Sequence, residues 1–192
     1  MNDFKNFLGT YNICARFTPG FLCLLSIYIL LGFDIEKLET NSIFYIGIFI
    51  ILSSILGFLS SSIIKIIEQK IWKHYGNPTI NYLKKNEKVL YEKMYEKIKN
   101  DKDIMTCILK ITRDDTKLFW KNVSYGFFRN SILLSLLPLY FSYKTDYFLW
   151  ILVICIFIIF ATFIMSKYYT QQAIESYKEI MMENDICQNL QK

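Results

Sequence analysis

The chain has 192 residues, of which 53% are hydrophobic and 17% aromatic, and its formal net charge is +5. That length accommodates one membrane bundle with a small helical element outside it, and it excludes a second globular domain of ordinary size. Four apolar runs, at residues 17–33, 43–64, 122–143 and 147–165, are each long enough to cross a bilayer as a helix. The sequence therefore predicts an all-α membrane protein with four transmembrane helices.

The positive charges are distributed unequally between the two sides of these predicted spans. Every Lys and Arg except Lys37 and Lys144 belongs to the side that holds both termini and the segment between spans two and three. Short loops rich in Lys and Arg face the cytoplasm. We therefore expect both termini to be cytoplasmic.

The predicted elements include helical segments on the cytoplasmic side as well as the spans. The apolar positions Phe4, Phe7, Leu8 and Tyr11 indicate a short amphipathic helix in the membrane interface. A helical cytoplasmic element separates spans two and three, and a C-terminal cytoplasmic helix follows span four. In chain order the segments are an interfacial helix at 1–16, a transmembrane hairpin at 17–67, a cytoplasmic helical segment at 68–121, a second transmembrane hairpin at 122–166, and the C-terminal helix at 167–192.

Span two carries small residues at intervals of four, namely Ser53, Gly57 and Ser61. Such a stripe favours close helix packing inside a bundle, because small side chains let two backbones approach. The alternative is a hydroxyl-bearing face that lines a pore in an oligomer. The sequence leaves both interpretations open.

One charge, Arg129, lies about a turn inside span three and requires an explanation. Its long side chain can extend to the headgroup phosphates. Alternatively, it forms an ion pair or a ligand contact at the cytoplasmic mouth of the bundle, with Asp114, Asp115 or a carboxylate of the tail as the candidate partner.

The sequence contains no pattern typical of an enzyme. Its single histidine, His74, rules out a pair of histidine ligands for a metal, and neither a glycine-rich phosphate loop nor paired intramembrane carboxylates occur. We expect no catalytic residues, no cofactor and no metal. The segment 70–121 instead carries thirteen Lys or Arg against seven Asp or Glu, which predicts attraction to anionic lipids or other polyanions.

Three motifs, at residues 74–79, 112–115 and 122–130, give the chain a family resemblance. They read His-Tyr-Gly-Asn-Pro-Thr, Thr-Arg-Asp-Asp and Asn-Val-Ser-Tyr-Gly-Phe-Phe-Arg-Asn. The chain thereby resembles a family of small bacterial four-span membrane proteins that act as effectors of anti-phage defence, such as the membrane effector of the Hailong system.

This resemblance implies an oligomeric channel in the inner membrane, gated by a nucleotide or a single-stranded nucleic acid that a neighbouring nucleotidyltransferase makes. Residues 53, 57 and 61 would then line the pore. From their positive charge we expect seven basic residues to bind the polyanion, namely Lys84, Lys85, Lys88, Arg113, Lys117, Lys121 and Arg129. The alternative is a non-conducting scaffold or sensor that recruits a soluble partner protein to the membrane.

Overall fold

The computed structural model describes residues 9–33 and 42–190, with side chains described for 9–33 and 44–182. Within these ranges the ordered elements are all helices, and no strand occurs. The predicted all-α fold is confirmed for this part of the chain. Of the predicted interfacial helix, positions 1–8 lie outside the described residues.

Seven helices account for most of the described chain. They are α1 (Thr10–Leu30), α2 (Ser42–Tyr75), α3 (Pro78–Asn86), α4 (Lys88–Ile98), α5 (Asp101–Ile111), α6 (Thr116–Ser142) and α7 (Phe148–Leu190).

Local sequence explains where α2 ends and α3 begins. Gly76 has φ 81, a left-handed conformation that glycine adopts without the penalty a side chain would bring. Asn77 then caps α3, because its side-chain oxygen accepts a hydrogen bond from the Thr79 N–H at 2.8 Å. Pro78 occupies the first helical position, where no backbone donor is needed.

Three stretches of the described chain are long and apolar enough to cross a membrane, namely Thr10–Leu30, Phe44–Asn86 and Phe148–Met182. Helix α6, which contains the predicted third span, has 27 residues but is not among them. Its apolar character is diluted by Arg129, Asn130 and several serines. The structure thus supports a membrane protein with three apolar helices.

The chain divides into two compact units. We call Met1–Glu68 with Val123–Phe163 the apolar unit, and Gln69–Asn122 with Ile164–Lys192 the polar unit. Helices α2, α6 and α7 contribute residues to both.

The apolar unit exposes large apolar side chains on its helices. Phe44 is 68% exposed, Leu149 is 69% exposed and Phe163 is 72% exposed. A water-soluble protein buries such residues, whereas a bilayer surrounds them with hydrocarbon. This surface is the one expected of helices in contact with lipid.

The polar unit has a hydrophobic core of its own, to which α3, α4, α5, α6 and α7 contribute. Its buried members are Ile80, Leu83, Met94, Ile104, Ile108, Leu118, Ala173, Ile174 and Tyr177. Polar contacts hold the same helices together at the surface, since Lys84 pairs with Asp101 at 2.7 Å and Lys178 pairs with Glu87. This unit is built like a small water-facing helical domain.

Candidate functional site

The small-residue stripe of α2 packs against α1 within the same chain. A Cβ added at Gly57 would lie 2.1 Å from the backbone oxygen of Arg16, and one added at Gly20 would lie 2.1 Å from the backbone oxygen of Ser53. The two helix backbones therefore touch. Ser53 and Ser61 are almost fully buried. Of the two interpretations of the stripe, this geometry favours helix packing, and pore lining stays a prediction.

A buried ion pair joins α6 to α2. The Arg129 Nη1 atom lies 3.1 Å from Glu68 Oε2, and the two side chains are only 10% and 14% exposed. The Tyr125 hydroxyl donates a hydrogen bond to the other oxygen of Glu68, and the Arg129 guanidinium lies 5.5 Å from the Tyr125 ring. Both oxygens of this buried carboxylate are thus occupied.

Of the two alternatives for Arg129, the structure shows the ion pair, but its partner is Glu68 and not Asp114, Asp115 or a carboxylate of the tail. Asp114 and Asp115 are near in sequence, whereas Glu68 lies 61 positions away on another helix. The spacing of Tyr125 and Arg129, one turn apart on α6, was the available signal. It indicates a shared polar contact but not the identity of the acid.

Arg16 is a second guanidinium in the same unit, and the sequence pattern gave no indication of it. It lies in a π-helical turn of α1, Ile13–Phe17. Its Nη1 donates to Asn12 Oδ1 at 2.8 Å, and its guanidinium carbon lies 5.0 Å from the centre of the Phe58 ring. Arg16 is therefore held between α1 and α2.

Asn130 links three helices at this point. Its side-chain nitrogen donates to the backbone oxygen of Ala15 on α1, and its own backbone oxygen accepts a hydrogen bond from Ser60 on α2 at 2.7 Å. Asn130 itself is completely buried. Asn130, which follows Arg129, is thus bonded to Ala15, which precedes Arg16.

Charge in this region is not balanced by the described side chains. Lys65 is exposed, and it lies near enough to Arg16, Arg129 and Glu68 for their charges to act on its own, so that three cations accompany one carboxylate. We call these four residues the charge cluster.

Several buried polar atoms around the charge cluster have no hydrogen-bond partner in the described part of the chain. They are Arg16 Nε, Ser61 Oγ, Arg129 Nε, Arg129 Nη2 and Asn130 Oδ1. Each buried donor or acceptor left without a partner costs about 1 to 3 kcal/mol. The charge cluster therefore has hydrogen-bonding groups that the described side chains do not satisfy.

The structure distributes the seven predicted polyanion-binding residues between the two units. Arg129 belongs to the apolar unit, and the other six belong to the polar unit. Lys84 is paired with Asp101, Lys88 lies 3.8 Å from Glu92, and the Lys121 ammonium lies 5.3 Å from the Tyr168 ring. All six are exposed, including the remaining three, Lys85, Arg113 and Lys117.

Asp115 has a structural role in the polar unit. Its carboxylate accepts hydrogen bonds from the backbone N–H groups of Lys117 and Leu118 at the start of α6, and from the Ser176 hydroxyl on α7. Burial by itself raises the pKa of Asp115, but these hydrogen bonds and the Lys117 charge outweigh it and lower the pKa below its usual value. Asp115 therefore stays ionised and joins the two helices.

Comparisons of the chain with protein-family models, with curated proteins and with solved structures found no match. The family resemblance consequently depends on the three short motifs alone. Four residues of the third motif, Tyr125, Gly126, Arg129 and Asn130, take part in contacts between helices of the apolar unit. Within the described residues, no group of three or more His, Cys, Asp or Glu side chains could hold a metal ion.

Proposed function

We propose that this chain is a membrane effector of bacterial anti-phage defence, an oligomeric ion channel gated through its polar unit by a nucleotide or oligonucleotide. The observation that supports this proposal is the continuity of α2, α6 and α7, each of which contributes to both units. A ligand that displaces these helices in the polar unit acts directly on the helices of the apolar unit.

We further propose that α6 crosses the membrane as the fourth span, with both termini in the cytoplasm. Its polar side chains are expensive in hydrocarbon unless other helices satisfy them. Arg129 pairs with Glu68, and Asn130 bonds to α1. These contacts offset much of the free-energy cost of placing the polar side chains of α6 in hydrocarbon. A four-span arrangement also places nearly all Lys and Arg on one side, as expected for cytoplasmic loops.

In this proposal the signal is received by the exposed cations of the polar unit. Lys85, Arg113 and Lys117 are exposed and suited to phosphate contacts. Lys84 already pairs with Asp101, so it contributes less to ligand affinity.

The packed contact of α1 with α2 corresponds to the shut state in this proposal. Ser53 and Ser61 are buried there, and Gly57 is covered by the backbone of Arg16. Water reaches this stripe only when α1 moves away from α2. The same observation favours the second candidate function, a non-conducting scaffold or sensor that recruits a soluble partner, because a stripe used for packing needs no conducting state.

Ion flux through liposomes separates the two candidates. Purified full-length protein is reconstituted, and flux is measured with and without short deoxyoligonucleotides. The channel predicts flux that the oligonucleotide changes, and it predicts loss of that response in a Lys85→Gln, Arg113→Gln, Lys117→Gln variant. Absence of flux under both conditions, together with stable co-purification of a soluble protein, would overturn the channel in favour of the scaffold.

Cysteine labelling in intact cells tests the four-span arrangement. A cysteine placed at Lys144, between α6 and α7, should react with a membrane-impermeant maleimide added outside the cytoplasmic membrane. A cysteine placed at Lys97 in α4 should react only after the cells are lysed. Equal protection of both positions would show that α6 does not cross.

A further inference from the structure

We propose that the phosphate of an anionic phospholipid binds to the charge cluster, between Arg16 and Arg129. This inference concerns the apolar unit and is independent of whether the protein conducts ions. It derives from the excess of positive charge, from the free edge of one guanidinium and from the position of the cluster along α2.

The first argument is the unpaired edge of Arg129. Glu68 engages only Nη1, at 3.1 Å, and leaves Nε and Nη2 buried without a partner. Nε and Nη2 lie on the same edge of the guanidinium and form a fork that matches two oxygens of a phosphate. Arg129 as a whole is only 8% exposed, so bulk water does not satisfy these donors.

A second argument is the presence of further donors and charge beside this fork. Arg16 Nε and Ser61 Oγ are also buried and unpaired. The hydrogen bond from Asn130 to Ala15 ties the backbone next to Arg129 to that next to Arg16. With Lys65 included, the cluster carries more positive charge than Glu68 neutralises. One phosphodiester anion would reduce this excess and satisfy several donors together.

The position of the cluster indicates a lipid as the source of the phosphate. Residues 43–64 of the chain are uncharged, and Lys65 is the first charge that follows them in α2. The end of such a run lies where the hydrocarbon core meets the headgroups, and basic sites between helices at that depth bind anionic headgroups. The remaining unpaired atom, Asn130 Oδ1, is an acceptor. A hydroxyl of a glycerol headgroup can donate to it, whereas a choline headgroup has no donor.

Thermal unfolding of the full-length protein in a non-ionic detergent tests this site. The probes are short-chain phosphatidylglycerol, short-chain phosphatidylcholine and inorganic phosphate at constant ionic strength. We expect phosphatidylglycerol to raise the unfolding midpoint by about 5 °C near saturation and phosphatidylcholine to leave it unchanged. A shift with inorganic phosphate but not with phosphatidylglycerol would show that the cluster binds an oxyanion, and it would overturn the proposal that a lipid supplies the phosphate.

Matched variants assign the effect to the cluster. Arg16→Gln should lose at least half of the phosphatidylglycerol shift. The double variant Glu68→Gln, Arg129→Gln removes both charges of the buried pair at once, so it keeps the net charge and still loses the fork. It should bind no phosphatidylglycerol, measured as lipid phosphorus retained after size-exclusion chromatography. Lys97→Gln removes an exposed charge of the polar unit and should keep the full shift.

Two further outcomes would overturn the proposal. One is an equal shift with phosphatidylglycerol and phosphatidylcholine in the wild-type protein. The other is full retention of the phosphatidylglycerol shift and of bound phosphorus in the double variant. If Arg16→Gln does not fold, Arg16→Lys, which keeps the charge but lacks the guanidinium Nε, takes its place and should show a reduced shift.

Discussion

Gly57→Ala tests the contact between α1 and α2 with a change of one methyl group. The added Cβ would lie 2.1 Å from the Arg16 backbone oxygen and 2.7 Å from its carbonyl carbon. To restore van der Waals separation the helices must part by about 1 Å, because neither backbone group can rotate away. Overpacking of this kind costs about 1 to 3 kcal/mol, and the bond from Asn130 to Ala15 is stretched by the same movement. We therefore expect a loss of about 3 kcal/mol.

Gly47→Ala provides the matched control in the same helix. Nothing lies within 4 Å of a Cβ built at Gly47, and alanine is a better helix former than glycine by about 1 kcal/mol. The control should be at least as stable as the wild-type protein. In detergent, a loss of 3 kcal/mol corresponds to a fall of about 6 to 12 °C in the unfolding midpoint. A Gly57→Ala midpoint within 2 °C of both the wild-type protein and the control would refute the packed contact.

Three further predictions concern the buried pair and the polar unit. Glu68→Gln leaves Arg129 buried without a carboxylate and should destabilise the protein by about 3 to 5 kcal/mol in an unfolding measurement. The double variant with Arg129→Gln should lose less stability, and a double variant no more stable than the single one would contradict the pairing. Ile108→Ala leaves a cavity at a fully buried site and should lower the free energy of unfolding by about 2 to 5 kcal/mol. The neighbouring Leu109→Ala, at an exposed position, should lower it much less, and equal losses would contradict the core assignment. Because the folded pKa of Asp115 lies below its unfolded value of about 4, its ionised carboxyl stabilises the protein above that pH, and the stabilisation disappears as the pH falls through the folded pKa. Asp115→Asn should therefore show a smaller loss of stability with acid below about pH 4, and an unchanged acid dependence would be evidence against this assignment.

The sequence predicted the type of element better than the contacts between elements. Uncharged runs and turn residues are local signals, so the long helices and the break at Gly76 follow from the sequence alone. The pairing of Glu68 with Arg129 is a contact between distant segments, and neither residue indicates the other by its spacing. The stripe of Ser53, Gly57 and Ser61 is visible in the sequence as a small-residue face, but only the position of α1 shows that Gly57 lies against a neighbouring backbone.

Hydropathy alone gives an incomplete description of α6 for the same reason. A hydropathy scale assigns each polar side chain the full free energy of transfer into hydrocarbon, as though the side chain had no polar partner there. In the folded chain, however, Arg129 pairs with the Glu68 carboxylate, and Asn130 donates to the Ala15 backbone oxygen and accepts from the Ser60 hydroxyl. The residues that reduce the apolar character of α6 are therefore the residues that hold it in the bundle.

This arrangement also limits what the family resemblance can imply. Tyr125 and Arg129 contact Glu68, and a Cβ at Gly126 would meet the Tyr11 side chain at 2.8 Å. Packing accounts for these motif positions, so a protein that shares the motif is expected to share the contacts of α1, α2 and α6. It need not share a ligand. In the proposed function a common signal molecule would have to be recognised by other residues, and we propose the exposed cations of the polar unit, where substitutions would alter ligand choice without disturbing the bundle.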